Sequence, residues 1–184
     1  MAQIDLKNAT IKILDGTASQ SGGPKAIEVK IGEGNLTFSE KRTIEYTLDR
    51  GNLDEVRLGD EVPVDVSIDA TWEYIKGDDI TTTNDIPQTN WLIDALKQIN
   101  VCSDWLSTDA DTCRPYAVDI LVAYDPGACG GSTYDSKTME IIRLPDFRWE
   151  QIDYSLRDGT FSITGKCNAT QAITTRIEST TNYY

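Results

Sequence analysis

Apolar and polar residues alternate in short segments along most of the chain. The longest such segment, residues 62–74, has an apolar residue at every even position, in the order Val62, Val64, Val66, Ile68, Ala70, Trp72 and Tyr74. A period of two is typical of a β-strand with one buried face, because successive side chains point to opposite sides of a strand. Shorter segments predict further strands in NATIKIL, AIEVKIG, NLTF, RTIEYTLD, TMEIIRL, EQIDYSLRDG, TFSITGK and NATQAITTRI.

Turn residues predict how some of these strands are joined. Gly51, in DRGN, is expected to turn the chain between residues 42–49 and residues 62–74, which gives one long hairpin over about residues 41–75. Asp158 and Gly159 predict a second hairpin turn. The segment PYAVDILVAYDP is apolar on both faces, which is typical of a central strand that is covered on both sides.

One segment has helical spacing instead. In TNWLIDALKQIN the apolar residues recur at intervals of three and four, which predicts an α-helix over about residues 88–99 whose Leu92, Leu96 and Ile99 cover the sheet. Nine or so strands joined by tight turns, with this one helix, indicate a mainly β fold, an antiparallel sandwich or barrel. The chain of 184 residues is expected to form a single domain, residues 1–184.

The charge of the chain is strongly acidic and unevenly distributed. The formal net charge is −13, and residues 52–94 carry eleven acidic side chains against Arg57 and Lys76. No basic cluster that would hold a nucleic-acid backbone is visible. Three of the carboxylates, Asp65, Asp69 and Glu73, stand at every fourth position on the polar side of residues 62–74. We call these three residues the acidic stripe.

One residue type that many enzyme and metal sites need, His, is missing. The chain contains no His, which excludes Ser/His/Asp and Cys/His nucleophilic sites and His-containing metal sites. The chain contains neither the phosphate-binding motif G-x-x-x-x-G-K-[ST] nor a G-x-G-x-x-G motif after a predicted strand. Asp109 and Asp111, in STDADTC, lack the glycine and the terminal Glu of a calcium-binding loop. We therefore expect no enzymatic activity, no cofactor and no metal.

Four cysteines, Cys102, Cys113, Cys129 and Cys167, leave their redox state open. None of them forms a C-x-x-C pair, and synthesis in a cytoplasm favours reduced thiols. Disulfides that form later remain an alternative with three pairings, of which Cys102 to Cys113 closes the shortest loop.

Synthesis in the cytoplasm is expected because the N-terminal MAQIDLKNAT has no basic segment followed by an apolar one. No stretch approaches the ~18 consecutive apolar residues of a membrane span, so no membrane partner is expected.

Taken together, several segments resemble the major tail tube protein of tailed bacteriophages. They are AIEVKIGEGNLTFSEKRTIEYTLDRGNLDEVRLGDEVPVDVSIDATWEYI, RPYAVDILVAYDPG and IIRLPDFRWEQIDYSLRDGTFSITGKCNAT, and the resemblance extends over about residues 9–170. It implies a sandwich-like β fold with one helix, hexameric rings of this chain that stack into a tube, and double-stranded DNA that passes through without specific binding. It further implies tape-measure, tail-terminator and baseplate or tail-tip proteins as partners, and a place in the tail of a virion made in a bacterial cytoplasm.

In such a tube the acidic stripe has an electrostatic interpretation. Carboxylates that face phosphates repel them without regard to sequence, so a channel lined by Asp65, Asp69 and Glu73 would let DNA slide. The pattern fits a stripe on the outside of the tube equally well.

Two other functional classes stay open. A monomeric β-sandwich that binds carbohydrate or cells would use Trp72, Trp91, Trp105, Trp149 or Tyr116 as stacking platforms. An enzyme with a catalytic carboxylate pair is the other class, but nothing singles out a pair among 30 acidic residues.

Overall fold

The computed structural model describes residues 9–17, 23–29, 35–71, 76–78, 89–124 and 138–178. These residues form twelve β-strands and one α-helix. The strands are β1 (Ala9–Leu14), β2 (Ala26–Val29), β3 (Asn35–Ser39), β4 (Ile44–Asp49), β5 (Asn52–Leu58), β6 (Val64–Thr71), β7 (Lys76–Asp78), β8 (Thr89–Trp91), β9 (Val118–Tyr124), β10 (Thr138–Ser155), β11 (Thr160–Cys167) and β12 (Ile173–Glu178), and the helix, α1 (Leu92–Lys97), follows β8.

Eight strands form one antiparallel sheet. Its order is β2-β1-β9-β10-β11-β6-β3, and β12 also pairs with β10. Strand β10 is 18 residues long, and its register with β9 shifts between Leu144 and Phe147. Its first part pairs with β9 and β12, and its second part pairs with β11. The prediction of a mainly β, antiparallel fold with one α-helix is confirmed for the residues described.

Both parts of the sheet contribute to one hydrophobic core. In β6 the apolar residues of the alternating segment are buried, and the polar residues between them are exposed or half-buried. They pack in one cluster with Ile13 and Ile120 from the first part of the sheet and with Phe161 and Ile163 from β11. The predicted buried positions Trp72 and Tyr74, like Glu73, lie outside the described residues.

The helix is shorter than the predicted 88–99. Thr89–Trp91 form β8, which pairs with β7, so the helix begins only at Leu92. It ends at Lys97 because Gln98 adopts a left-handed backbone conformation, with φ of 54°. The amide of Ile99 then donates to the Asp94 carbonyl over 3.1 Å, which is the bond that closes a Schellman motif.

The predicted helix face loses one member through this early end. Leu92 and Leu96 are buried in the core cluster. Ile99 lies beyond the helix, and 41% of it is exposed, so it does not belong to the face that covers the sheet.

The long hairpin over residues 41–75 is also corrected. The turn at Gly51 forms, with φ of 86°, but it connects β4 to β5 and not to β6. Strands β4 and β5 make a separate two-stranded sheet, whereas β6 lies between β11 and β3. The hairpin therefore extends only from Ile44 to Leu58.

Leu96→Ala is expected to lower the free energy of unfolding by about 2–5 kcal/mol, because the side chain is buried and its removal leaves a cavity. Chemical denaturation measures the change, and Ile99→Ala, in the same segment but half-exposed, is the control and should cost much less. Equal losses from the two variants would contradict the assigned helix face.

No helix in the described ranges is long and apolar enough to cross a membrane.

Candidate functional site

The outer side of four strands is polar from one edge to the other. Strands β3, β6, β11 and the second part of β10 lie side by side, and their buried residues all point to the core. The strand registers align the opposite side chains in three rows: Ser39–Asp65–Lys166–Arg148, Thr37–Ser67–Thr164–Gln151 and Asn35–Asp69–Ser162–Asp153. We call these twelve residues the polar face.

The polar face is recessed in two places. A depression of about 620 Å³ includes Asp69, Asp153 and Ser162, and one of about 360 Å³ includes Asp65 and Lys166. Hydroxyl groups of Ser and Thr contribute to both depressions. Both depressions combine these polar groups with apolar residues, among them Phe161 in the first and Phe38 in the second.

The acidic stripe is not a uniform row of free carboxylates. Lys41 donates to Asp65 over 2.6 Å, and this hydrogen bond lowers the pKa of the Asp65 carboxyl. Lys166 stands opposite Asp65 in the register. Asp69 is exposed, and none of the ion pairs found in the described part of the chain includes it. Glu73 lies outside the described residues. Of the two members that the structure describes, Asp65 is paired and Asp69 is not.

A carboxylate from a distant strand completes the acidic end of the polar face. Asp153 of β10 occupies the same row as Asp69, two strands away. Gln151 donates to Asp153 over 2.8 Å. Sequence analysis missed Asp153 because its alternating segment was recognised but its pairing, through β11, with β6 was not.

The opposite end of the polar face carries both signs of charge, and its cations are paired. Lys166 contacts Glu150 at 3.4 Å. Arg148 contacts Asp109 at 2.6 Å and donates to the Pro115 carbonyl. These cations have carboxylate partners within the chain, which reduces their ability to hold phosphate.

The hairpin β4–β5 carries six of the fourteen exposed large apolar side chains in the described structure. Every residue of both strands is exposed. One side holds three cross-strand apolar pairs, Ile44–Leu58, Tyr46–Val56 and Leu48–Leu53, whose exposed fractions lie between 46% and 72%. We call these six residues the hairpin face. The other side is polar and includes the Glu45–Arg57 ion pair at 2.9 Å.

Such a hairpin needs a partner. An isolated two-stranded hairpin is at best marginally stable in water, and a contiguous exposed apolar patch marks an interaction site. The hairpin face is therefore the strongest candidate for a protein contact.

Most of the aromatic residues considered as platforms for sugar stacking are buried or engaged in contacts within the chain. Trp105 is buried in the core cluster. Trp149 is 39% exposed, but it donates to the Leu96 carbonyl, and the Lys97 ammonium lies 5.7 Å from the centre of its ring. Tyr116 donates to the Ala95 carbonyl, and burial raises the pKa of its hydroxyl. The side chains of Trp72 and Trp91 lie outside the described residues.

The cysteines that the structure describes form no disulfide with one another. Cys102 and Cys167 are buried, whereas Cys113 is exposed. Burial, with the nearby Asp119 and Asp146, raises the pKa of the Cys167 thiol to about 12, so it stays protonated. Cys102 and Cys113 are thus not joined in the described structure. Cys129 lies outside the described residues, and the pairings that include it stay a prediction.

The two aspartates of STDADTC take part in a structural network. Asp109 accepts a hydrogen bond from the Asp111 amide and contacts both Arg148 and Arg114, and these interactions lower the pKa of its carboxyl. Nowhere in the described ranges do three or more Cys, Asp or Glu side chains form a group that could hold a metal ion.

Comparisons with known proteins add one weak structural likeness. No family model matches the chain, and no curated protein matches its sequence. Among solved structures, the fold is similar to a chain from an extracellular contractile injection system, the PVC sheath/tube terminator in its extended state, with 10% sequence identity and a TM-score of 0.49. The match covers 95% of this chain and 98% of that chain. A likeness at this level says nothing about what this chain binds.

Proposed function

We propose that this chain is a structural subunit of a virion tail whose six copies close into a ring, and that such rings stack into a tube that conducts double-stranded DNA. The observation that supports this proposal best is the polar face. It spans four strands without an apolar interruption and ends at two sheet edges that a neighbouring copy could extend.

Both edges are open among the described residues. Strand β3 pairs with β6 on one side and is the last strand of the sheet on the other. Strand β9 pairs with β10 only as far as the Phe147–Val118 position, so β10 beyond Phe147 pairs with β11 alone. Unpaired strand edges are templates for pairing with another chain.

The strand directions fit a closed ring. Strands β3, β6, β11 and β10 alternate in direction, because each neighbouring pair is antiparallel. The β3 edge of one copy would therefore run antiparallel to the β10 edge of the next. A head-to-tail contact of this kind closes into a ring when the rotation between copies fits.

The size of the ring follows from sheet geometry. Six copies of a four-stranded sheet give about 24 strands, and strands about 4.8 Å apart that tilt by about 40° enclose a barrel with a backbone diameter of about 48 Å. If the polar face points inward, the passage is wider than a DNA duplex. The hydrophobic core and α1 then lie on the side of the sheet that faces the outside of the tube.

The chemistry of the polar face suits passage of DNA without binding. Asp69 and Asp153 repel phosphate, and Lys166 and Arg148 are engaged by carboxylates of the same chain.

In the stacked tube, the hairpin face would be covered by copies of the adjacent ring. Tape-measure, tail-terminator and baseplate or tail-tip proteins would be the partners along the tube and at its ends.

Negative-stain electron microscopy of the purified full chain tests the proposal. Rings with an open centre, or tubes built from them, are the expected result, and native mass spectrometry should give six copies per ring. A strict monomer at every concentration would contradict the proposal and favour the monomeric binding module.

A further inference from the structure

Three half-exposed aromatic residues lie at the two open edges of the four-stranded sheet. Phe38 is on β3 at one edge, and Trp149 and Tyr154 are on β10 at the other, with exposed fractions of 38%, 39% and 41%. We propose that Phe38 of one copy packs against Trp149 and Tyr154 of the next, and that this aromatic seam joins neighbouring copies in the ring. The inference rests on the ring of the proposed function and identifies the residues that would close it.

The register puts these residues on the same side of the sheet. Phe38 pairs with Val66, Val66 with Gly165, and Gly165 with Trp149, so one row crosses all four strands. Val66 is buried in the core. Only the two ends of the row are uncovered, and each end carries an aromatic side chain.

Tyr154 belongs to this side as well. It pairs with Phe161, which in turn pairs with Ala70, and both of these residues are buried. The bulge between Trp149 and Gln151 keeps Trp149 and Tyr154 on the core side, although five positions separate them.

The aromatic pair on β10 is held in position before any partner arrives. The Trp149 indole donates to the Leu96 carbonyl over 2.9 Å. The Lys97 ammonium lies 5.7 Å from the Trp149 ring centre and 5.8 Å from that of Tyr154, and it donates to the Tyr154 hydroxyl over 3.3 Å. Side chains fixed in this way lose little conformational entropy on binding, and Trp and Tyr are enriched among the residues that dominate interface energies.

The stagger of a closed barrel brings Phe38 within reach of this pair. Strands in closed barrels are staggered by about one residue per strand, which displaces the next copy by about four residues across a four-stranded sheet. Strand β9 occupies this edge of β10 up to Phe147, so only a displacement towards Ser155 leaves room for the next copy. Four paired positions beyond Trp149 in that direction lies Tyr154, which brings Phe38 to Tyr154. A second copy is thus the occupant that the two edges fit.

Cysteine crosslinking in assembled rings tests the seam. The variant Phe38→Cys/Tyr154→Cys, with Cys113→Ser and Cys129→Ser to remove competing thiols, is treated with a short thiol-reactive crosslinker that spans diagonal cross-strand neighbours, about 7–8 Å apart. A denaturing gel is expected to show a ladder that ends at six crosslinked copies. Phe38→Cys/Gln151→Cys is the matched control, because Gln151 lies on the opposite side of β10, and it should give no ladder.

The outcomes separate the seam from the proposed function. Rings that form without a Phe38–Tyr154 crosslink, or a crosslink that ends at dimers, overturn the seam and leave the tube proposal to microscopy. A chain that never assembles overturns both. As a second measurement, Phe38→Ala is expected to raise the protein concentration needed for assembly about tenfold, with only a small decrease in the unfolding midpoint of the monomer, because Phe38 lies half-exposed at the sheet edge. An unchanged concentration would also contradict the seam.

Discussion

Replacing Leu48 and Leu53 by aspartate is expected to abolish tube formation and leave a folded chain. These leucines pair across the hairpin β4–β5, and their exposed fractions are 63% and 62%. Burial of each side chain in a contact with an adjacent ring would contribute about 1.5–3 kcal/mol. Loss of both would weaken every contact by two to four orders of magnitude, and a charge on an apolar contact adds a desolvation cost.

The variant is compared with Thr47→Asp/Asn52→Asp, which adds the same charge to the polar side of the same hairpin. Electron microscopy and size-exclusion chromatography follow assembly, and circular dichroism follows folding. The control should still form tubes. If the two variants assemble equally well, the hairpin face is not a contact between copies.

The hairpin shows which part of the fold the sequence could predict. Ile44, Tyr46 and Leu48 alternate without interruption, and β4 was predicted from them. Strand β5 was missed because the register shifts opposite Thr47 and Leu48, so that Leu53 and Val56 are three positions apart, although both belong to the hairpin face. A bulge breaks the period of two while it keeps the side chains on one side.

The helix boundaries depend on two features that the sequence does not reveal. One is strand pairing at the start of the helix, and the other is an unusual backbone conformation at its end. Thr89 and Trp91 suit a strand as well as a helix, and their pairing with β7 decides the outcome. Gln98 gives no sequence signal for a left-handed conformation, since Gly or Asn is the usual residue there. It donates over 2.7 Å to the carbonyl of Trp105, a contact that only the folded chain provides.

Only part of the polar face could be predicted from the sequence, again because the rest depends on contacts between distant segments. Alternation predicted correctly that Asp65 and Asp69 lie on the side of β6 that faces away from the core. It could not reveal that Lys41 pairs with Asp65 or that Asp153 lies in the row of Asp69, because both depend on pairings between distant segments. The acidic stripe along one strand is thus replaced by an acidic row across the sheet.

This row gives a sharper test of the lumen than the stripe would. Changing Asp69 and Asp153 to Lys adds +4 to each copy at one level of the polar face, and six-fold symmetry would repeat the change around the channel. Both side chains lie outside the core, so folding and tube assembly should survive. Duplex DNA should now be retained by tubes at low salt, through contacts with phosphates.

Salt dependence distinguishes this retention from trapping. If about six to ten phosphates are contacted, affinity should fall by about 10³–10⁵ between 50 and 200 mM salt. Co-sedimentation of DNA with tubes over this range measures the effect. Asp60→Lys/Glu61→Lys is the matched control, because it adds the same charge at exposed positions outside the polar face. If tubes of the Asp69/Asp153 variant hold no more DNA than control tubes, the polar face does not line the channel, and the passage of DNA must be assigned to another surface.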